Sequence, residues 1–296
     1  MLRFKPAASA LFFAAVSQFA SAQAPASVET RLAAQNALFD DSWQATLKMN
    51  PTLATAVGDY RYNDQLGDYS LTGYAARHER EVADLARIKA IDSTGFPEQD
   101  LISHDLFLRQ LQQRVDDYDL KEFEMPLSAS GGGGGIHVNV ADLPLSMPFD
   151  SVKHYEDYVA HLHQIPKAFL QTEDVLRAGV RDHLVPVRFI AEKVPGQAEG
   201  VVTADPFLLP LKKFPASFSD ADKKRLTDEI TSTVNNEVFP AYKQFAAFVI
   251  SDYIPQCRTT LSINSLGGGG RRYQAALRRF TTTDLTAAQI HEIGLK

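Results

Sequence analysis

Cysteine is almost absent: Cys257 stands alone in a chain of 296 residues. No internal disulfide can form, so the fold has to be held by packing even in an oxidising compartment. A basic excess is missing too. With 30 Lys and Arg against 36 Asp and Glu the net charge is −6, which argues against nucleic acid as a partner. Several chemical signatures are absent. Gly135 is not followed by Gly-Lys-Ser/Thr, and Gly270 leads into Arg271-Arg272, so neither glycine run is a phosphate loop. No G-x-S-x-G elbow supports a serine hydrolase. His291-Glu292 opens like a zinc-binding H-E-x-x-H, but position 295 is leucine. Without the second histidine one helical turn on, the helix cannot offer two ligands on one face.

What is present begins with an export signal. Arg3 and Lys5 precede a short apolar core, Ala7–Val16, and Ala20-Ser21-Ala22 forms a small-residue cleavage site. The apolar run is too short to span a bilayer, and no cysteine near the junction suggests a lipid anchor. Residues 23–296 are therefore expected to be exported to the periplasm or beyond, with no membrane attachment after cleavage. Loss of the signal, with its two basic residues and no acidic one, takes the net charge to −8.

Helical periodicity covers most of the remainder. Leu32, Phe39, Trp43 and Leu47 place one helix over Val28–Asn50, stopped by Pro51. Val82, Leu85, Ile88 and Ile91 mark a second, and Leu101, Leu108, Leu111 and Val115 a third, entered through Pro97. Ser151–Gly179 carries a further stripe interrupted by Pro166, which predicts a kink or break. A shorter helix is expected over Val185–Val194, closed by Pro195-Gly196. Thr203–Pro215, with three prolines, reads as a packed irregular crossing. Ser219–Tyr253 has the longest pattern, with Pro240 as a kink. Thr286 and Gln289 have capping-box spacing at the head of a last helix that is still running at Lys296.

Between the helical stretches lies SASGGGGGIHVNVADLPLSMPFDS, residues 128–151. Ile136-His137-Val138-Asn139-Val140 alternates and is rich in β-branched side chains, which predicts a short edge strand near 135–141. Such an edge could take a peptide by main-chain pairing, the glycines allowing close approach. A surface loop is the plainer reading of the same residues. His137 would face a bound carbonyl or be an ordinary structural histidine. His154, His161 and His163 form the main histidine cluster, but i, i+2 spacing separates the last two around a helix, and a solvated face is expected. Asp40-Asp41 and Asp116-Asp117 are expected on exposed helix faces, and Cys257 as a small buried filler.

Several segments occur in a characteristic order: Asn50-Pro51-Thr52 with Gly58; Gly134-Gly135-Ile136-His137; Tyr155-Glu156-Asp157-Tyr158; Pro206-Phe207 with Phe214-Pro215; and Arg279-Phe280-Thr281-Thr282-Thr283-Asp284-Leu285-Thr286 running to Ile290-His291. Together they resemble a bacterial family of exported proteins, domain of unknown function family 885. The resemblance implies a mainly α-helical, zincin-like metallopeptidase, similar in architecture to the carboxypeptidase Taq and neurolysin groups. There, two helical halves enclose a cleft, a strand edge holds the peptide, and an H-E-x-x-H helix with a downstream Glu holds zinc. In the family that zinc segment lies in the C-terminal half. The expectation is thus a multi-helix array forming one half of such a cleft, with no catalytic or metal-binding residue of its own and with zinc only in a full-length member. Gly134, Gly135, Ile136 and His137 are expected to line the cleft on the side of a peptide substrate. The alternative is a non-catalytic helical protein that binds peptides along a Gly131–Val140 strand edge. Gly267–Gly270 departs from the family, falling where a proline- or aspartate-bearing turn is usual.

Overall fold

The computed structural model describes residues 26–127 and 135–296. Ser27 caps α1 (Val28–Met49), its hydroxyl accepting from the Thr30 N–H, and Pro51 at the head of α2 (Pro51–Ala56) forces the break between them. Ser70 caps α3 (Leu71–Lys89) in the same way, and α4 follows (Glu98–Tyr118). These helices share a small core of Leu38, Leu85, Ile88 and Leu111, with Phe39 and Phe107 edge to face at 4.8 Å. Trp43 and Val82, both assigned to apolar stripes from spacing, are largely exposed. Asp84 is buried instead, held by Arg80 at 2.8 Å and Arg87 at 3.1 Å.

The main core is organised by α7 (Val152–Arg181), reached through two single turns, α5 (Ile136–Asn139) and α6 (Leu143–Ser146). No break occurs at Pro166; the helix runs through it, because dense burial on either side outweighs one lost backbone hydrogen bond. α8 (Arg188–Ala191) and α9 (Val194–Ala204) come next. Pro195 does not close a helix, as its position after Val194 suggested, but sits in the first turn of α9, where its missing N–H costs nothing. The proline-rich crossing is a packed 3₁₀ segment, Pro206–Lys212.

From Asp220 the chain is helical to Tyr253, as α10 (Asp220–Thr233), a wide turn at Val234–Val238, α11 (Phe239–Phe248) and a second wide turn at Val249–Tyr253. Each wide turn is followed by an i→i−5 bond, Phe239 N–H to the Val234 carbonyl and Ile254 N–H to that of Val249. A proline follows immediately in both cases, Pro240 and Pro255, so the looser turn absorbs the missing donor without a sharp bend. Phe169 of α7 lies between Tyr242 and Phe245 of α11, with ring centroids 4.9 and 4.8 Å away.

α12 (Gly269–Thr281) and α13 (Ala287–Gly294) form a more exposed arm; α12 buries Gly269 and Arg272, and α13 buries nothing. Thr286 and Gln289 make the expected capping box. Arg279 ties the arm to Asp117 at 2.7 Å and Glu122 at 3.1 Å.

The predicted edge strand is corrected by this structure. Residues 136–139 are a helical turn: the N–H groups of Val138 and Asn139 point to the Gly135 carbonyl, at 3.0 and 3.3 Å, and that of Val140 to Ile136 at 3.0 Å. Among the described residues the extended pairing is a single parallel bridge between Val187 and Arg258. β-branched alternation over five residues is too short to select a strand when no neighbouring strand exists to pair with.

Candidate functional site

The four residues expected to face a ligand separate once placed. Gly134 lies outside the described residues. Gly135 is buried, and a Cβ there would stand 3.0 Å from the His137 ring and 3.1 Å from Leu127, so the glycine is needed for packing. Ile136 belongs to the core. His137 is fully buried, with Nε2 3.0 Å from the Gln197 side-chain oxygen. Burial pushes the imidazole below its usual range. Its backbone carbonyl accepts from the Tyr242 hydroxyl at 2.7 Å. The side chain and backbone of His137 are thus held by two other helices, which fixes the orientation of α5. The N–H groups of Val138, Asn139 and Val140 are engaged within the turn, so this segment does not present the strand edge expected of it. Tyr242→Phe should cost about 1–2 kcal/mol, since the buried His137 carbonyl loses its donor; urea unfolding of the variant checks this.

What opens to solvent beside Gly135 is a recess of about 140 Å³ between α3, α5 and α7. Its apolar floor comes from Ile136 and Val175, and its polar groups are Tyr69, Tyr74, Asn139 and Thr172. The Thr172 hydroxyl is spent on the Ala168 carbonyl at 2.9 Å. Burial raises both phenols above their usual range, so they stay protonated and can donate. Asn139, at the rim, offers a donor and an acceptor. The volume takes one small side chain rather than a whole ligand, below the roughly 300 Å³ at which small-molecule pockets begin. Tyr69 and Tyr74 sit in a polar connection and a helix start far from the glycine run in sequence; nothing in their local pattern announced this meeting.

The histidines diverge. His154 lies 2.7 Å from Asp150, His163 is exposed 2.9 Å from Glu237, and His161 is fully buried between them, contrary to the solvated face expected of it. The backbone of Gln65 lies beside His161, yet neither ring nitrogen completes a hydrogen bond among the described residues. Burial holds this imidazole neutral, moving it from 6.5 down to about 4. Among the described residues no three His, Cys, Asp or Glu side chains are placed to hold a metal ion. The donors among the described residues do not fit a zinc ion.

The remaining motifs find one another. The Tyr155 hydroxyl donates to the Pro210 carbonyl and that of Tyr158 to the Phe207 carbonyl, both at 2.9 Å, and the Tyr155 ring stacks on Phe214 at 5.0 Å. The Tyr-Glu-Asp-Tyr segment thus clamps the Pro206–Pro215 segment, a structural pairing of two motifs about 50 residues apart. A family model described as "Bacterial protein of unknown function (DUF885)" matches residues 51–296. The chain belongs to the DUF885 family. Among solved structures, this DUF885 chain is similar to "the putative lipoprotein from Colwellia psychrerythraea", with a TM-score of 0.79 at 16% identity. The match covers 91% of the present chain and 49% of that one, so the DUF885 chain spans about half the length of the solved relative. At that identity the likeness concerns the fold. No curated protein matches. Among the described residues no helix is long and apolar enough to cross a membrane.

Proposed function

We propose that this chain is the N-terminal, substrate-contacting part of an exported, metallopeptidase-like hydrolase, and that it does not hydrolyse peptides by itself. The observation that carries the contact role is the recess beside Gly135, where two protonated phenols and a carboxamide surround an apolar floor sized for one side chain. That is the composition of a specificity subsite, an apolar surface with a few donors and acceptors that fix orientation. Zinc, in this reading, is held by residues outside the chain, in the portion that the longer relative has and this chain does not match. An envelope or extracellular location agrees with the Ala20-Ser21-Ala22 cleavage site and with the relative's lipoprotein description.

The test uses purified residues 23–296 and a fluorogenic peptide library, with and without a chelator. No turnover is expected, whereas the longest polypeptide encoded by the same gene should cleave in a chelator-sensitive way. The isolated chain should still bind unstructured peptides weakly, and Asn139→Ala with Tyr74→Phe should reduce that binding at least fivefold. Turnover by the fragment that survives purification and chelation would overturn the proposal.

A further inference from the structure

A larger cavity lies elsewhere, lined by none of the residues around Gly135. Between α4 and α12 is a cleft of about 570 Å³, well inside the roughly 300–1,000 Å³ range of small-molecule sites. Leu108 and Ala275 supply an apolar base, and the rim is charged in both signs. Most of the charges are already committed. Lys89 donates to Gln112, Gln112 donates to Asp116, Asp117 is paired with Arg279, and Arg109 donates to the Arg278 carbonyl. Three charged lining side chains have no hydrogen bond or ion pair among the described residues: the carboxylates of Asp105 and Asp284 and the guanidinium of Arg278. Two uncommitted anions and one uncommitted cation facing one cavity are complementary to a zwitterion.

Backbone strain marks the same place. Thr282, on the cleft wall, caps the end of α12 in the left-handed region at φ 58. Glycine or asparagine relaxes there, whereas a β-branched residue is strained. The other left-handed non-glycine residues, Lys121, His183 and Asp205, are unbranched at Cβ. The Thr282 hydroxyl has no partner among the described residues, and Thr282 is one of the residues that line the cleft.

We propose that the α4–α12 cleft binds a short zwitterionic compound of peptide type, with Asp105 and Asp284 receiving its ammonium group, Arg278 its carboxylate and Thr282 a central carbonyl. The site shares no residue with the recess beside Gly135 and does not rest on the function proposed for that recess.

The experiment is calorimetric titration of the purified 23–296 chain with trialanine free at both ends, and with its N-acetylated and C-amidated forms. The free tripeptide should bind, and either blocked form at least tenfold more weakly. Asp105→Asn combined with Asp284→Asn should abolish discrimination against the acetylated form, and Arg278→Gln discrimination against the amide. Thr282→Gly should raise the melting temperature, through relief of strain, while weakening binding several-fold; a purely structural threonine would give the first effect without the second. Gly200→Ala, on α9 and lining neither cavity, should leave all of these affinities unchanged. Absence of binding at millimolar tripeptide, or equal affinity for free and blocked forms, would overturn the proposal.

Discussion

Gly179→Val is expected to lower the unfolding free energy by about 3 kcal/mol or more, a steric cost at the upper end for overpacking. Gly179 lies near the end of α7, where two other chain segments press against it. A Cβ would stand 2.7 Å from the Leu184 carbonyl oxygen and closer still to that of Glu124. Both are backbone atoms, so neither can swing aside as a side chain would. The Leu184 N–H also donates to the Gly179 carbonyl at 2.7 Å, which fixes the turn after the helix. Relief would require α7 to back away from the 3₁₀ turn at Glu122–Glu124. In a chain of this size 1 kcal/mol moves the midpoint by about 2–4 °C, so a loss near ~10 °C is expected in a thermal melt. Gly200→Ala is the control. It lies inside α9 with nothing within 4 Å of the place an added methyl group would take, and alanine there should stabilise by up to about 1 kcal/mol. A valine at 179 that melts like the parent would show the close approach to be wrong.

Acidification should destabilise the protein well before its surface carboxylates titrate, and His161 is the main reason. Its folded imidazole titrates near 4 and its unfolded one near 6.5. Above pH 6.5 both states hold it neutral and stability is full. As pH falls below 6.5 the unfolded chain takes up the proton first, so unfolding is favoured until the folded pKa near 4 is passed. The loss totals about 3 kcal/mol over that window. Asp157 and Asp64 are the nearby charges that favour protonation, and burial outweighs them. His137, buried and lowered in the same direction, adds to the slope. Urea unfolding from about pH 7 to 4 should show a steady decline for the parent chain and a flatter one for His161→Leu. Because leucine has no proton to take up, the variant's stability relative to the parent should rise as the pH falls from ~7 to ~5. Parallel pH profiles would refute the assignment.

Helices were legible wherever apolar periodicity was long, because α7 or α10 must bury a stripe whatever its neighbours are. Stripe membership was less so. Trp43 and Val82 fit the spacing yet face solvent, and buried Asp84 is tolerated only because two arginines reach it, a fact about how α3 folds its own charges inward. His161 defeated the spacing argument for a related reason: which side of a central helix is buried depends on how many neighbours surround it, and α7 is covered on most sides. The edge strand failed because five alternating residues carry too little information without a pairing partner. The glycine run before α12 had no sequence-level account. Its third member has one in space, since a Cβ at Gly269 would meet the Ile263 oxygen and the Asn264 carbonyl carbon, each at 2.7 Å. The recess beside Gly135 could not be read at all, because Tyr69 and Tyr74 reach it from about 60 positions upstream.

The two wide turns in the Asp220–Tyr253 helix also bear on how relatives can diverge. Each accommodates one residue beyond a regular α-helical turn, and one residue corresponds to about 100° of rotation about the axis. Removing a residue from Val234–Val238 would leave a helix that is still continuous but points Tyr242, Phe245 and Val249 away from Phe169. The turns therefore act as phase adjusters that keep three successive apolar faces aimed at one core. Single-residue gaps between family members, ordinarily confined to loops, become admissible inside this helix at those two places when the facing residues change in step.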